Sequence, residues 1–154
     1  MKILKSVILL FLLAYLNLSA QFSVPNFLDE PLTKTFSELK ESISDKKIED
    51  SMDGPFNHLT YYDWLEPLSI KINFMFKKDG KPVSKSISNS KKTDEEAQKL
   101  FNILISELVY KYGQSISQKT LFGAIVYTWN GVGGSIITLS HTGNKTVLMI
   151  IIFK

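Results

Sequence analysis

The chain has 154 residues, of which 44% are hydrophobic and 21% charged; this length suits one ordinary domain, and the composition supports a packed core rather than disorder. All 18 basic residues are Lys, set against 15 acidic residues, and Cys is absent. The sequence therefore excludes disulfides, thiolate metal sites and a Cys nucleophile, and it offers no Arg for bidentate recognition of guanine or phosphate.

Residues 1–20 are typical of a secretory signal peptide. Two Lys precede an apolar run from Val7 to Leu16, which at about 1.5 Å per residue is too short to cross a hydrocarbon core of about 30 Å. Ala20 supplies the small residue before a cleavage site. We therefore expect a secreted or periplasmic protein that keeps no stable membrane anchor after cleavage; the alternative is an uncleaved N-terminal anchor helix.

Cleavage at this site changes the charge of the protein. The signal peptide carries two Lys and no acidic residue, so the rest of the chain holds 16 Lys against 15 acidic residues. A nearly neutral chain lacks the positive surface of a nucleic-acid binder. The sequence therefore predicts no nucleic-acid partner.

Two helices are predicted after an extended or irregular arm over residues 21–32. A capping box at Thr35 starts a helix from Phe36 to about Lys47. A second helix is expected from Asp94 to Tyr112, because Thr93 begins another capping box and apolar residues recur every three or four positions. Its apolar stripe should pack on the alternating strand formed by residues 70–76.

Strands account for the other ordered segments. Residues 56–64 and 70–76 are predicted to be strands, and residues 83–88 an edge strand, because Pro82 and several Ser are typical of edges. After the long helix, three strands are expected: Leu121–Trp129, Ile136–His141 and Thr146–Phe153. The last is apolar on both faces, which favours a place in the middle of the sheet.

A weak internal repeat relates the two halves of the chain. One constant shift along the sequence superimposes Phe36 on Phe101, Tyr62 on Tyr127 and Trp64 on Trp129. This pattern predicts pseudo-repeats at about 33–90 and 91–154, each with one helix and three strands, within a single domain over residues 21–154. The expected fold is a two-layer α+β sandwich with about six antiparallel strands and both helices on one face. The alternative is coincidence within a compact α+β domain.

Short motifs give this chain a family resemblance. The segment from Phe27 to Leu39 resembles the start of small secreted bacterial proteins of unknown function, whose second half often has a helix ending in Lys-Tyr-Gly, as at 111–113, and then a strand with Trp, as at Trp129. The doubled unit is similar in outline to the secreted beta-lactamase-inhibitor-protein fold. The resemblance implies a secreted α+β fold and no activity.

The chain lacks a recognisable catalytic or metal constellation. His58 and His141, the only two His, have no metal-ligand or triad spacing. The Gly-rich stretch 131–134 lies between two predicted strands, whereas a phosphate loop must lead into a helix. We therefore predict no catalytic residue, no metal site and no cofactor. A hydrolase site built from Asp63, His58 and distant residues is the weakest alternative.

Aromatic residues are the candidate binding residues, and they are Tyr61, Tyr62, Trp64, Tyr127 and Trp129. With helices on one side only, the other face of the sheet is open to a partner, and Trp and Tyr are favoured anchors at interfaces. The alternative is that these rings pack under the helices. Trp64 is expected to be the more exposed Trp, because Asp63 and Glu66 flank it.

These features favour a non-catalytic binding or interaction protein, and an inhibitor or immunity-type protein is one concrete version. A protein that binds an envelope glycan or a small molecule is the second hypothesis, and a hydrolase is the third. The expected partner is accordingly another protein or a glycan.

Overall fold

The computed structural model describes residues 22–91, 93–143 and 145–153, so the expected signal peptide lies outside the described residues. These ranges form three α-helices and one eight-stranded antiparallel sheet. The helices are α1 Val24–Asp29, α2 Phe36–Ser42 and α3 Asp94–Tyr112. The strands are β1 Glu49–Asp53, β2 Phe56–Leu65, β3 Leu68–Lys77, β4 Pro82–Asn89, β5 Ser117–Leu121, β6 Ala124–Asn130, β7 Ile136–Thr142 and β8 Thr146–Ile152. No α-helix in these ranges is long and apolar enough to span a membrane.

The strand order is β1-β2-β3-β4-β8-β7-β6-β5. Each half of the chain contributes four consecutive antiparallel strands that follow a helix, and the two halves meet where β4 pairs with β8. The predicted α+β class with an antiparallel sheet is confirmed. The prediction of six strands and two helices was too low, because it missed β1, β5 and α1.

The two missed strands occupy the edges of the sheet. Every residue of β1 is exposed, so the strand has no alternation of apolar and polar residues to reveal it. The predicted strand Leu121–Trp129 is in fact a hairpin, with Phe122 and Gly123 forming a two-residue turn at φ values of 49° and 78°. A turn with two positive φ values matches the twist of the strands on either side.

Two other predictions need correction. The arm over 21–32 was expected to be irregular, but it contains α1, which begins where the Ser23 hydroxyl accepts a hydrogen bond from the Asn26 N–H at 3.3 Å. The predicted edge strand 83–88 is instead β4, which pairs with both β3 and β8. Pro82 is tolerated there because it is the first residue of the strand. The central position predicted for the last strand is confirmed.

The three helices pack on one face of the sheet, here called the helix face. Leu100, Leu104 and Leu108 of α3 are fully buried, and the helix contacts β4, β7 and β8. The stripe was predicted to pack on β3, but the strands on which α3 mainly lies are β4, β7 and β8, and α1 and α2 each place a ring on β3. Their contacts on β3 are the ring pairs Phe27–Phe74 and Phe36–Phe76.

Candidate functional site

The two Trp residues lie on opposite faces of the sheet. In the ladder between β2 and β3, Trp64 stands opposite Ser69, whose neighbours Leu68 and Ile70 are both buried against the helices. Because successive residues of a strand point to opposite faces, Trp64 points away from the helices. Trp129 of β6 stands opposite the buried Ile137 and is itself only 1% exposed. The grouping of both Trp residues in one candidate binding surface is therefore wrong.

The error has a definite geometric cause. The alignment of Trp64 with Trp129 shifts the sequence by an odd number of positions. The strands that are equivalent in the two halves instead begin an even number of positions apart, as β1 and β5 do and as β2 and β6 do. An odd slip in a strand moves every side chain to the other face. With the even shift, Trp129 corresponds to Tyr61 rather than to Trp64, and Tyr61 is also buried.

Trp129 and Tyr127 are parts of the core under α3. The Trp129 indole N–H donates to the Gly113 carbonyl at 3.0 Å, which satisfies a backbone group at the C-terminal end of α3. Tyr127 packs between Trp129 and Phe101, with ring centroids at 6.2 and 5.9 Å. For these two residues the alternative of core packing applies: Trp129 is buried, and Tyr127 is half-buried against it.

Tyr61 also lies on the helix face. Its ring stacks on Phe74 at 6.2 Å and lines a cavity between α1, α2 and the sheet. Burial and the negative charges of Asp63 and Glu30 raise the pKa of Tyr61 to about 12. Tyr61 therefore remains a neutral phenol at physiological pH and does not belong to the exposed pair formed by Tyr62 and Trp64.

Tyr62 and Trp64 form the exposed aromatic pair of the open face, the face of the sheet on which none of the described helices packs. Their side chains are 47% and 50% exposed. The prediction that Trp64 is the more exposed of the two Trp residues is confirmed. The Trp64 indole N–H donates to Glu66 at 3.4 Å, and its backbone N–H donates to the Asp63 carboxylate at 2.8 Å. These bonds orient the ring at the end of β2.

Polar side chains beside the aromatic pair are held in a hydrogen-bonded chain. The Asn73 amide donates to the Thr60 hydroxyl at 2.7 Å, and its carbonyl oxygen is 3.3 Å from His58 Nδ1. Lys71 stands opposite Tyr62 in the ladder and adds a positive charge. The open face next to the aromatic pair therefore offers fixed hydrogen-bonding groups and a cation.

The centre of the open face is lined by small hydroxyl and aliphatic side chains. Register places Ser84, Ser86 and Ser88 of β4 opposite Ile152, Ile150 and Leu148 of β8. Thr138 and Ser140 of β7 stand opposite Ile150 and Leu148 on the other side. Most of these side chains are half-buried by their neighbours. On the open face, the central strands β4, β8 and β7 therefore present hydroxyl and aliphatic side chains and no charged residue.

The turn between β5 and β6 carries a candidate residue that the sequence did not reveal. Phe122 is fully exposed at a positive φ, and Leu121 beside it is half exposed. Leu121 pairs with Ala124, which precedes Trp129 by five residues, so Leu121 points to the open face. The sequence signal was Gly123, which suits the second position of such a turn.

The alternative hydrolase site is not assembled. His58 and Asp63 are five residues apart on β2, so their side chains point to opposite faces. Asp63 pairs instead with Lys46 at 3.3 Å on the helix face. In the part of the chain that the structure describes, no three His, Asp or Glu side chains are grouped so that they could hold a metal ion.

Comparison with protein families, curated proteins and solved structures finds no significant match to this chain.

Proposed function

We propose that this chain is a secreted or periplasmic, non-catalytic protein that binds another protein through the open face of its sheet. An inhibitor or immunity-type role is one concrete version. The observation that carries the proposal is the exposed pair Tyr62 and Trp64 on a face without a described helix. Exposed aromatic residues on such a surface are typical of the anchors that dominate protein–protein binding energies.

The size of the open face supports a protein partner. Tyr62 and Trp64 on β2 and Leu121 on β5 are separated by six strand spacings, which amounts to roughly 29 Å at about 4.8 Å per spacing. A standard interface buries about 800 Å² on each partner. The two groups of exposed apolar side chains lie at this distance, with the uncharged surface of the central strands between them. Together they suit an interface of about 800 Å² on this chain.

The rigidity of the surface is a second argument. The side chains of the open face project from paired strands, and the Asn73 amide is already bonded to Thr60. Binding to such a surface orders few additional side chains, so less free energy is lost on association. A partner with a complementary apolar patch and an acidic group near Lys71 fits these features.

A glycan-binding role is the second candidate, and the same exposed rings favour it. Tyr62 and Trp64 offer stacking surfaces beside the Asn73 and Lys71 side chains. The positions of Trp129, which is buried, and of Tyr127, which is half-buried on the helix face, however, remove two of the expected platforms from the open face. The single exposed pair is therefore a better match for a protein anchor than for an extended sugar chain.

The test is affinity capture from the extracellular or envelope fraction of the source cells, with wild-type protein and matched variants. The double variant Tyr62→Ala, Trp64→Ala should lose a stoichiometric protein partner that the wild type captures. The control is Tyr110→Ala, which removes an aromatic ring that is also exposed but lies on α3. Equal capture by all three proteins would refute the proposed surface, and a saturable glycan with no protein would favour the second candidate.

A further inference from the structure

The helix face contains a partly open cavity of about 330 Å³ between α1, α2 and strands β2 to β4. It exists because the two helices over this half of the sheet have only six and seven residues, whereas α3 over the other half has 19. Ligand cavities in proteins measure about 300–1,000 Å³. The cavity is therefore large enough for a small ligand.

Apolar side chains line one side of the cavity, and polar side chains, among them Glu30, Lys46 and Asp63, line the rest. The rings of Phe22, Phe27 and Phe74 are tilted against one another along one side, with centroid separations of 5.6 and 6.4 Å. Leu39 and Ile43, at the C-terminal end of α2, also line the cavity. This side of the cavity favours contact with an apolar chain.

One cationic side chain is buried at this wall. Lys85 of β4 is 3% exposed, and its ammonium lies 4.5 Å from the centroid of the Phe27 ring. The ammonium donates hydrogen bonds to the carbonyls of Phe27 and Glu30, at the C-terminal end of α1. An ammonium has three N–H donors, so two bonds leave one donor for a further acceptor.

The charge of Lys85 is only partly compensated. Within residues 22–91, 93–143 and 145–153, no carboxylate forms an ion pair with this ammonium. The two carbonyl partners are neutral, and Glu30 acts on Lys85 only through its more distant charge. A buried positive charge without an anionic partner is unfavourable, and an anion beside it removes that cost.

We propose that this cavity binds a small amphiphilic carboxylic acid, with its carboxylate on the Lys85 ammonium and its apolar chain along Phe27, Phe74 and Ile43. The site is separate from the open face. The volume of about 330 Å³ lies at the lower end of the range for ligand cavities, so the probe must be small. Octanoate, with eight carbons and two oxygens, is the matching probe.

The experiment is calorimetric titration of the purified protein with octanoate and with octanol, its neutral counterpart. We expect one saturable site for octanoate and at least tenfold weaker binding of octanol. Lys85→Met should weaken octanoate binding by about ten- to hundredfold, because it removes a hydrogen bond to a charged group, and it should leave octanol binding nearly unchanged. Lys77→Met, at the exposed end of β3, makes the same change of charge and should alter neither affinity.

A second variant keeps the test decisive if Lys85→Met does not fold. Ile43→Trp fills the cavity from α2 and should abolish octanoate binding while the circular dichroism spectrum is retained. Equal affinities of the wild type for octanoate and octanol would contradict the role of Lys85. Undiminished octanoate binding by Ile43→Trp, or no saturable binding by the wild type, would overturn the assignment of the cavity.

Discussion

Trp129 and Trp64 lie near the ends of β6 and β2, yet they have opposite environments. Trp129 is enclosed by α3 and donates its indole N–H to Gly113, whereas Trp64 is half exposed on the open face. The difference arises from the parity of their positions in the strands and not from residue type or local sequence. It teaches that position within a strand decides the environment of each ring: the helix face buries Trp129 in the core, and the open face leaves Trp64 half exposed.

The largest expected difference between the two faces is in stability. Trp129→Ala should lower the free energy of unfolding by about 3–5 kcal/mol, because a fully buried ring and its hydrogen bond are lost. Trp64→Ala should change it by less than about 0.5 kcal/mol, as is usual for exposed residues. Urea denaturation of both variants measures the contrast. Similar losses for both would mean that the open face also belongs to the core.

The contribution of α3 to the helix face can be tested at its centre. Leu104 is fully buried, so Leu104→Ala should cost about 2–5 kcal/mol. Ser106→Ala, at an exposed position of the same helix, is the matched control and should remain within about 0.5 kcal/mol of wild type. A loss below about 0.5 kcal/mol for Leu104→Ala would show that α3 does not form the core.

Burial of Lys85 gives the stability of the protein a pH dependence. Burial lowers the pKa of Lys85 from 10.5 to about 8, so between these values the unfolded chain binds the proton more tightly and stability rises with pH. Burial raises the pKa of Tyr61 from 10 to about 12. Above pH 10 the folded state therefore retains this proton more tightly than the unfolded chain, and this residue makes stability fall as pH rises.

The expected rise between pH 8 and pH 10 is on the order of 1 kcal/mol after allowance for solvent screening. Urea denaturation across this range should detect it in the wild type and in the control Lys77→Met. The rise should be absent from Lys85→Met. A wild-type stability that falls from pH 8 to pH 10 would contradict the burial of this ammonium.

The smallest expected change in the free energy of unfolding concerns Phe122, in the turn between β5 and β6. Phe122 adopts a φ of 49°, which costs an L-residue other than Gly, Asn or Asp about 1–2 kcal/mol. Phe122→Asn should therefore raise the free energy of unfolding by about 0.5–1 kcal/mol. The same variant should weaken capture of the partner if the exposed ring contributes to the open face. Loss of stability would show that the ring packs on the domain.

The sequence predicted best those elements whose signals are local. The N-cap Thr93, whose hydroxyl accepts a hydrogen bond from the Glu96 N–H at 3.3 Å, and the apolar stripe set the bounds of α3. The two-sided apolar character of 147–153 placed β8 in the centre of the sheet. Edge strand β1 was missed because its residues are all exposed. The hairpin at Phe122 was missed because a bulky residue at positive φ is not a usual turn signal.

The candidate site was only partly predictable from the sequence, because the face on which a strand residue lies depends on the register of that strand. Trp64 was identified as an exposed anchor from its charged neighbours, but Trp129 and Tyr127 were grouped with it by an odd shift. The cavity at Lys85 had no sequence signal, since its ammonium meets the carbonyls of Phe27 and Glu30, 58 and 55 residues away. Contacts at such separations follow from the packing of α1 on the sheet.

The division of roles between the two faces can be tested in one sample of ¹⁵N-labelled protein by following its two indole N–H resonances. In the free protein, the Trp129 signal should exchange slowly with solvent and the Trp64 signal quickly, because only the former is buried against Gly113. Addition of the captured partner should shift or broaden the Trp64 resonance and leave that of Trp129 unchanged. A complex that forms while the Trp64 resonance stays unperturbed would contradict recognition through the open face.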